Sequence, residues 1–268
     1  YATPSNQRLL HFELECAVLY LELLMKILFS AITLLLLSTS ASADNAMPLN
    51  GLTLLVLGES HMVSMGDNNG QLIASLPDEL SKQGAKVFTY GACGASAGDW
   101  LTTKSVKCGA LRVDTGTIRY RPADIASTQP IANLIKKHQP NLIVLVIGDT
   151  MASYDNKEIP KQWVWHGVSA LTKEIKSHGT RCVWVGPAWG ENGGPDEYKK
   201  RNARAKEFSD YLSTLVAPCT YIDSLTFSKI GDWKTVDGQH LDQAGYQGWA
   251  KGITEAITSS AILPTIKP

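Results

Sequence analysis

Residues 52–61 have the sequence LTLLVLGESH, in which a mainly apolar run ends at Gly58 and three polar side chains follow it. A short apolar run that ends at a glycine predicts a strand buried on both faces, as in a parallel sheet. Glu59, Ser60 and His61 would then lie just beyond the carboxyl end of that strand. Ligands of open α/β sheets bind at this edge. The stretch therefore predicts both the fold class and the location of a site.

The alternation of strand and helix continues along the chain. Further strands are predicted at Lys86–Tyr90, Leu142–Ile147, Arg181–Val185 and Thr220–Ile222. Helices are predicted at Leu72–Leu80 (with an irregular middle at Pro77), Ile131–His138, Trp163–Ser177, Tyr198–Leu215 and Ala244–Ser259. This order predicts an α/β fold, a three-layer α/β/α sandwich around a five-stranded, mostly parallel sheet. Residues 92–128 lack periodicity and predict a long loop, which is functional or clamped in most compact domains.

Composition excludes several classes of protein. The chain has 268 residues, 44% of them hydrophobic, with 25 basic and 25 acidic side chains. This apolar content with no net charge argues against a mainly disordered chain. The charge balance, without a cluster of basic and aromatic residues, argues against binding to nucleic acid. No period typical of solenoids or propellers is present.

The first 43 residues are expected to lie outside the folded domain. Lys26, the eleven-residue apolar run 27–37 and the small residues ending at Ala41-Ser42-Ala43 form the pattern of a secretory signal peptide over residues 25–43. A membrane anchor is the alternative, but eleven residues give about 16 Å of helix against a hydrocarbon core of ~30 Å. Residues 1–24 are interpreted as an upstream segment. Residues 44–268 are expected to form one secreted or periplasmic domain without a stable membrane span.

The number of cysteines is typical of an exported protein. Outside the leader the chain has four cysteines, which in an exported domain suggest two disulfides with three possible pairings. The preferred pairing is Cys93–Cys108 with Cys182–Cys219, and four buried thiols are the alternative. The cysteine and histidine spacings do not match a zinc site.

Four motifs at or after the strands carry chemically reactive or polar residues. They are Gly58-Glu59-Ser60-His61, Gly91-Ala92-Cys93-Gly94-Ala95-Ser96, Gly148-Asp149-Thr150-Met151 and Asp237-Gly238-Gln239-His240. A serine hydroxyl becomes a good nucleophile only when a base takes its proton, and histidine has a suitable pKa. The histidine needs an acceptor on its other ring nitrogen, and Asp237 lies three residues before His240. Taken singly, Ser60 and Asp237 also fit ordinary caps of a helix or turn.

Together these motifs resemble those of the SGNH hydrolase superfamily, also called the GDSL esterase/lipase family, over residues 50–260. The resemblance implies a flavodoxin-like fold and a catalytic triad of Ser60, His240 and Asp237. It implies an oxyanion hole formed by the N–H groups of Ser60 and Gly94, with Gly91 as a rival to Gly94. Thr150 stands where the family has an oxyanion-binding asparagine. Its hydroxyl could donate one hydrogen bond, and loss of one oxyanion donor costs ~2.7–4 kcal/mol of transition-state stabilisation.

The resemblance also implies the chemistry. A serine esterase that forms an acyl-enzyme on Ser60 would hydrolyse carboxylic esters, and it needs neither a metal nor an organic cofactor. An ester-bearing small molecule or polysaccharide is the expected partner, most simply an O-acetyl ester on a cell-envelope or extracellular polysaccharide. The alternatives are an O-acetyltransferase, a lipase or lysophospholipase of the same superfamily, and a catalytically impaired glycan-binding protein.

Aromatic residues and one histidine are candidates for contact with the substrate. Trp100, Trp189 and Tyr198 lie in or beside the predicted loops at this edge, and aromatic faces suit sugar rings. Packing within the loops is the alternative for all three. His61 either contacts substrate, as its similarity to exported glycan-modifying members of the superfamily suggests, or caps its turn. The basic run at residues 199–201 is interpreted as a solvated helix face.

Overall fold

A seven-stranded sheet forms the centre of the computed structural model, which describes Met25 and residues 47–63, 71–191 and 199–266. The strands are β1 Thr53–Gly58, β2 Lys86–Ala92, β3 Cys108–Val113, β4 Arg119–Pro122, β5 Leu142–Val146, β6 Arg181–Val185 and β7 Thr220–Ile222. Their order across the sheet is β4-β3-β2-β1-β5-β6-β7. Five neighbouring strands, β2, β1, β5, β6 and β7, run parallel to one another. Strands β3 and β4 pair antiparallel at one edge of the sheet. The predicted fold class is therefore confirmed.

Helices cover both faces of the sheet. The α-helices are α1 Leu72–Lys82, α2 Ile131–His138, α3 Asp149–Ala152, α4 Lys161–Ser177, α5 Asn202–Ser213, α6 Gln243–Thr258 and α7 Leu263–Ile266, with short 3-10 helices at Ser60–Met62, Ala97–Leu101 and Ser224–Thr226. Strand β1 shows how the layers form, because its side chains alternate between two separate apolar clusters. Leu54 and Val56 pack with α1 and α6, and Leu55 and Leu57 pack with α2, α4 and α5. The sheet and these helices belong to one compact unit, Met47–Pro268.

The prediction of a five-stranded sheet was wrong at one edge. Strands β3 and β4 form a hairpin inside the segment expected to be a loop. Their sequences, CGALRV and RYRP, contain no apolar run, because β3 is buried only in part and β4 is mostly exposed at the edge of the sheet. Edge strands lack the hydrophobic signal of strands buried on both faces.

Two helix predictions also need correction. Helix α1 is continuous through Pro77, whose ring is buried against the core, so the irregular middle was wrong. Helix α5 begins at Asn202, so the basic residues 199–201 precede it. Tyr198 and the proposed leader, apart from Met25, lie outside the described residues.

Both preferred disulfides are present. Cys93–Cys108 joins the end of β2 to the start of β3, and Cys182–Cys219 joins β6 to the residue before β7. Such bonds persist in oxidising compartments. None of the helices in the described residues has the length and apolar character needed to cross a bilayer.

Candidate active site

Ser60, His240 and Asp237 meet at the carboxyl edge of the sheet. Ser60 begins the 3-10 turn that follows β1, and His240 lies in the turn before α6. The Ser60 Oγ–His240 Nε2 distance is 2.7 Å, and the His240 Nδ1–Asp237 Oδ2 distance is 2.6 Å. With Nδ1–H donating to the carboxylate, Nε2 is left to accept the serine proton. The structure therefore brings the three predicted side chains into one proton-transfer chain.

Asp237 is held as a carboxylate. Burial by itself raises the pKa of Asp237, but hydrogen bonds and the charge of His240, with two backbone donors, lower it overall. The backbone N–H groups of Gln239 and His240 donate to Oδ1 over 3.0 and 2.7 Å. The same aspartate therefore folds the turn with one oxygen and orients the imidazole with the other.

An open cleft of about 770 Å³ lies over Ser60 and His240. The described residues that line it are Ser60, Cys93, Gly94, Lys104, Ser105, Val106, Lys107, Ala123, Asp149, Thr150, Ser153, Tyr154, Asp155, Asn156, Gln239 and His240. Most of these residues have polar side chains, although apolar atoms contribute more of the exposed surface of the cleft than polar atoms do. The cleft therefore has room for a substrate with both polar and apolar groups.

Gly94 fits the predicted oxyanion position better than its rival. It is exposed at the cleft with φ +69°, a conformation that favours glycine. Gly91 instead pairs within β2, where an added Cβ would lie 2.6 Å from Met62 and Val63 side chains. Within the described residues, the backbone N–H groups of Ser60 and Gly94 donate to no other protein atom. Both groups border the cleft and are available to a ligand.

Thr150 also borders the cleft, and its backbone is held from below by Glu59. The Glu59 Oε2 atom accepts the Thr150 N–H over 2.7 Å. Glu59 Oε1 accepts the N–H groups of Gly148 and Asp149 over 2.8 and 2.6 Å. Burial is the main cause that raises the pKa of Glu59, and the charge of Asp149 raises it further. The hydrogen bonds to the Glu59 carboxylate lower its pKa, but they do not offset these two effects. Glu59 therefore holds the backbone of residues 148–150, and the role of the Thr150 hydroxyl as an oxyanion donor stays a prediction.

A buried polar cluster lies directly beneath the triad, and most of it was not predicted. Asp149 Oδ2 accepts from Lys200 Nζ over 2.7 Å and from His61 Nε2, and Oδ1 accepts from the Tyr154 hydroxyl over 2.5 Å. Burial raises the pKa of Asp149, but the charge of Lys200 and the contact with His61 outweigh it and hold the pKa well below its usual range. Lys200 is fully buried, so its interpretation as part of a solvated helix face was wrong. The sequence of a basic run does not indicate which of its lysines will have a buried partner.

Three residues predicted to contact substrate do not lie in the cleft. His61 is 2% exposed and Trp100 is 1% exposed within the core, so neither presents a face to a ligand. The indole N–H of Trp189 donates to the carbonyl oxygens of Leu225 and Ser228, which fixes the loop beside the Asp237–His240 turn. Trp100 and Trp189 therefore pack within the protein, as the alternative interpretation of these residues predicted. Among the described residues, no cluster of three or more His, Cys, Asp or Glu side chains is arranged to hold a metal ion.

Comparison with known proteins gives a relative by sequence and several solved structures of the same fold. No protein-family model matches the chain. Protein BcsX from Komagataeibacter xylinus is 41% identical over 210 residues, which cover 78% of this chain and 77% of BcsX. The acetylxylan esterase Axe2 from Geobacillus stearothermophilus superposes with a TM-score of 0.51 at 12% identity, over 78% of this chain and 94% of Axe2. The acetyl xylan esterase AlAXEase gives a TM-score of 0.51 at 13% identity, over 77% of this chain and all of that structure.

Proposed function

Since the chain belongs to the family of BcsX and has the fold of the SGNH hydrolases, we propose that it is a serine ester hydrolase with Ser60 as its nucleophile. The observation that carries the proposal is the bridging position of His240, which contacts Ser60 Oγ at 2.7 Å and Asp237 Oδ2 at 2.6 Å. A residue that only caps a helix does not need a base at its hydroxyl and a carboxylate behind that base.

The reaction would proceed through an acyl-enzyme. Ser60 Oγ attacks the ester carbonyl carbon while His240 Nε2 takes the hydroxyl proton. The tetrahedral intermediate collapses, the carbon–oxygen bond to the alcohol breaks, and His240 gives that proton to the leaving oxygen. A water molecule then attacks the acyl-enzyme with His240 again as the base, which releases the carboxylic acid and restores Ser60.

Charge on the carbonyl oxygen would be stabilised by the N–H groups of Ser60 and Gly94. Both border the cleft and have no acceptor in the described residues. The Thr150 hydroxyl, which also borders the cleft, is the proposed third donor. Its arm is shorter than that of the asparagine amide found in the family, and loss of one donor reduces the rate by about 10²–10³-fold, so we expect slower turnover than asparagine at this position would give.

The substrate class proposed is an O-acetyl ester of a polysaccharide outside the cytoplasm. The polar side chains that line the cleft offer hydrogen-bond partners to a hydroxyl-rich alcohol. The two disulfides and the signal-peptide pattern support a secreted or periplasmic location.

Hydrolysis of two p-nitrophenyl esters tests the proposal. The protein should hydrolyse the acetate ester with a higher kcat/KM than the octanoate ester, and Ser60→Ala should abolish both activities without changing the circular dichroism spectrum. Ser213→Ala is the matched control, because the hydroxyl of this exposed serine donates to the Asp210 carbonyl on α5, away from the cleft. Equal turnover by wild type and Ser60→Ala would refute the assignment. A preference for octanoate would refute the acetyl ester but keep the serine hydrolase.

The same experiment with an oligosaccharide acceptor separates hydrolysis from acetyl transfer. Both reactions use one acyl-enzyme, and they differ only in whether water or a sugar hydroxyl attacks it. A hydrolase releases acetate in proportion to the nitrophenol formed. Acetylated oligosaccharide in place of acetate would identify a transferase.

A further inference from the structure

A buried hydrogen bond joins the residue after Ser60 to the helix that follows His240. His61 follows Ser60, and α6 begins at Gln243, three residues after His240. The Tyr246 hydroxyl on α6 lies 2.9 Å from His61 Nδ1. The two turns that carry the reacting atoms are therefore linked twice, once by the direct contact of Ser60 with His240 and once through His61 and Tyr246.

The direction of each hydrogen bond in this chain is fixed by its ends. Asp149 is an ionised carboxylate and can only accept, so His61 Nε2 carries a proton and donates to it. A neutral imidazole protonated on Nε2 must accept on Nδ1, so the Tyr246 O–H donates to it. Phenylalanine cannot make this hydrogen bond.

His61 is also suited to this place by its charge. Burial lowers the pKa of His61 to about 4, against the opposing effect of Asp149, so the ring is neutral at neutral pH. Its centroid lies 5.0 Å from that of His240, which must become positively charged during the reaction. A second cationic ring at this distance would oppose that charge. A neutral His61 ring can hold the Ser60 turn without opposing the positive charge on His240.

Asp149 anchors the other end of the chain. Lys200 and Tyr154 both donate to it, and His61 and Asp149 are almost completely buried. Rings of Tyr246 and Trp249 pack against His61, with centroids at 5.8 and 5.1 Å. His61 is therefore hydrogen-bonded at both ring nitrogens and packed against two aromatic rings.

From this juxtaposition we propose that His61 is a positioning residue, which acts through Tyr246 to hold the Ser60 turn and the His240 turn at the separation that proton transfer requires. This role rests on the proposed function, in which His240 takes the proton of Ser60. It needs no contact between His61 and substrate, in agreement with its burial. A misplacement of about 1 Å by residues away from the chemistry can reduce the rate by about 10²-fold.

The test is Tyr246→Phe, which removes the hydroxyl and keeps the buried ring. The proposal expects kcat for p-nitrophenyl acetate to fall by between about tenfold and 100-fold, with KM within about twofold of wild type. Tyr221→Phe is the control, because the Tyr221 hydroxyl likewise contacts one polar side chain, at 2.7 Å from Ser209 Oγ, but it is only partly buried and lies away from the cleft. It should leave kcat and KM unchanged. Equal kcat for Tyr246→Phe and Tyr221→Phe would overturn the proposal, whatever their stabilities.

A spectroscopic readout keeps this proposal separate from the proposed function. The proton between His240 Nδ1 and Asp237 is observable by NMR as a strongly downfield resonance whether or not the protein hydrolyses esters. In Tyr246→Phe this resonance should shift or broaden through exchange, and in Tyr221→Phe it should match wild type. Absence of any Ser60-dependent hydrolysis would refute the proposed function alone. An unaltered resonance in Tyr246→Phe would refute the positioning role alone.

Discussion

Lys200 donates a hydrogen bond of 2.7 Å from Nζ to Asp149 Oδ2, and neither side chain is more than 1% exposed. Burial of two charges carries a desolvation cost of several kcal/mol for each ion, which close contact and further hydrogen bonds must offset. Asp149 has those bonds from His61 and Tyr154. The stem of Lys200 passes beside Gly190, where an added Cβ would lie 2.7 Å from the Lys200 Cδ atom. The pair therefore joins the segment before α5 to the base of the cleft.

Lys200→Met should strongly destabilise the protein. Methionine keeps much of the apolar stem but leaves the Asp149 carboxylate buried without its cation. Removal of one partner of a buried ion pair typically costs about 3–5 kcal/mol. Urea denaturation of wild type and variant measures this difference in the free energy of unfolding.

Lys199→Met is the control for the preceding variant. The neighbouring lysine pairs with Asp155 at 3.3 Å, but both side chains are about two-thirds exposed. Exposed pairs of this kind contribute little to stability. Similar free energies of unfolding for the two variants would contradict the account of Lys200.

Asp237→Asn should inactivate the protein without unfolding it. The amide can still accept the backbone N–H groups of Gln239 and His240, but it cannot stabilise the imidazolium. By the logic of serine triads, kcat should fall by about 10⁴-fold. The comparison is Asp242→Asn, since Asp242 only caps α6 through the Gly245 N–H over 2.8 Å. A loss of activity equal in both variants would show that the turn, rather than the triad carboxylate, limits the rate.

The contrast between Asp237 and Lys200 shows what the sequence could predict. Ser60, Asp237 and His240 could be found because each lies in a short motif at a predicted strand end or helix start. The partner of Lys200 lies 51 residues away in sequence, and a buried lysine within a basic run has the same local pattern as a solvated one. Its pairing depends on tertiary packing, which no periodicity encodes.

The same limit explains the other corrections. Strands buried on both faces, such as β1 and β5, were found from their apolar runs, because both faces of the strand need apolar side chains. The β3–β4 hairpin is at an edge and has no such run. Trp100 lies in a segment that resembles a surface loop, but its side chain is buried in the core. Exposure of a single aromatic residue depends on neighbours that are distant in sequence.

Stability should depend on pH through His61. The unfolded chain takes up a proton on this residue near pH 6.5, whereas the folded protein does so only near pH 4. Between these values the unfolded chain binds the extra proton, so stability is fully present above about pH 6.5 and falls as the pH is lowered towards 4. The shift corresponds to roughly 3 kcal/mol in total.

Urea denaturation at pH 5 and pH 7 of wild type and His61→Gln measures this contribution. The wild type should lose more stability than the variant on going to pH 5, because glutamine does not titrate. His138, whose pKa burial also lowers, contributes equally to both proteins and cancels in the comparison. Identical losses in the two proteins would show that His61 keeps an ordinary pKa in the fold.

The two disulfides should differ in what their removal changes. The chain-entropy model gives about 3 kcal/mol for the Cys93–Cys108 bond, which spans 15 residues, and about 4 kcal/mol for Cys182–Cys219, which spans 37. Only the first lies at the cleft, where Cys93 immediately precedes Gly94. Replacement of both cysteines of a pair by alanine should therefore lower kcat only for Cys93–Cys108. Thermal unfolding and ester hydrolysis measure the two effects, and reduced kcat in the Cys182–Cys219 double variant would contradict this assignment.

Covalent labelling by a fluorophosphonate tests the central claim most directly, because the probe reacts only with a serine whose hydroxyl is activated by a base. Intact mass and peptide mapping should show one adduct per chain, on Ser60, which is absent in Ser60→Ala and formed much more slowly in His240→Gln. An unlabelled wild-type protein, or an adduct on a different serine, would contradict the account.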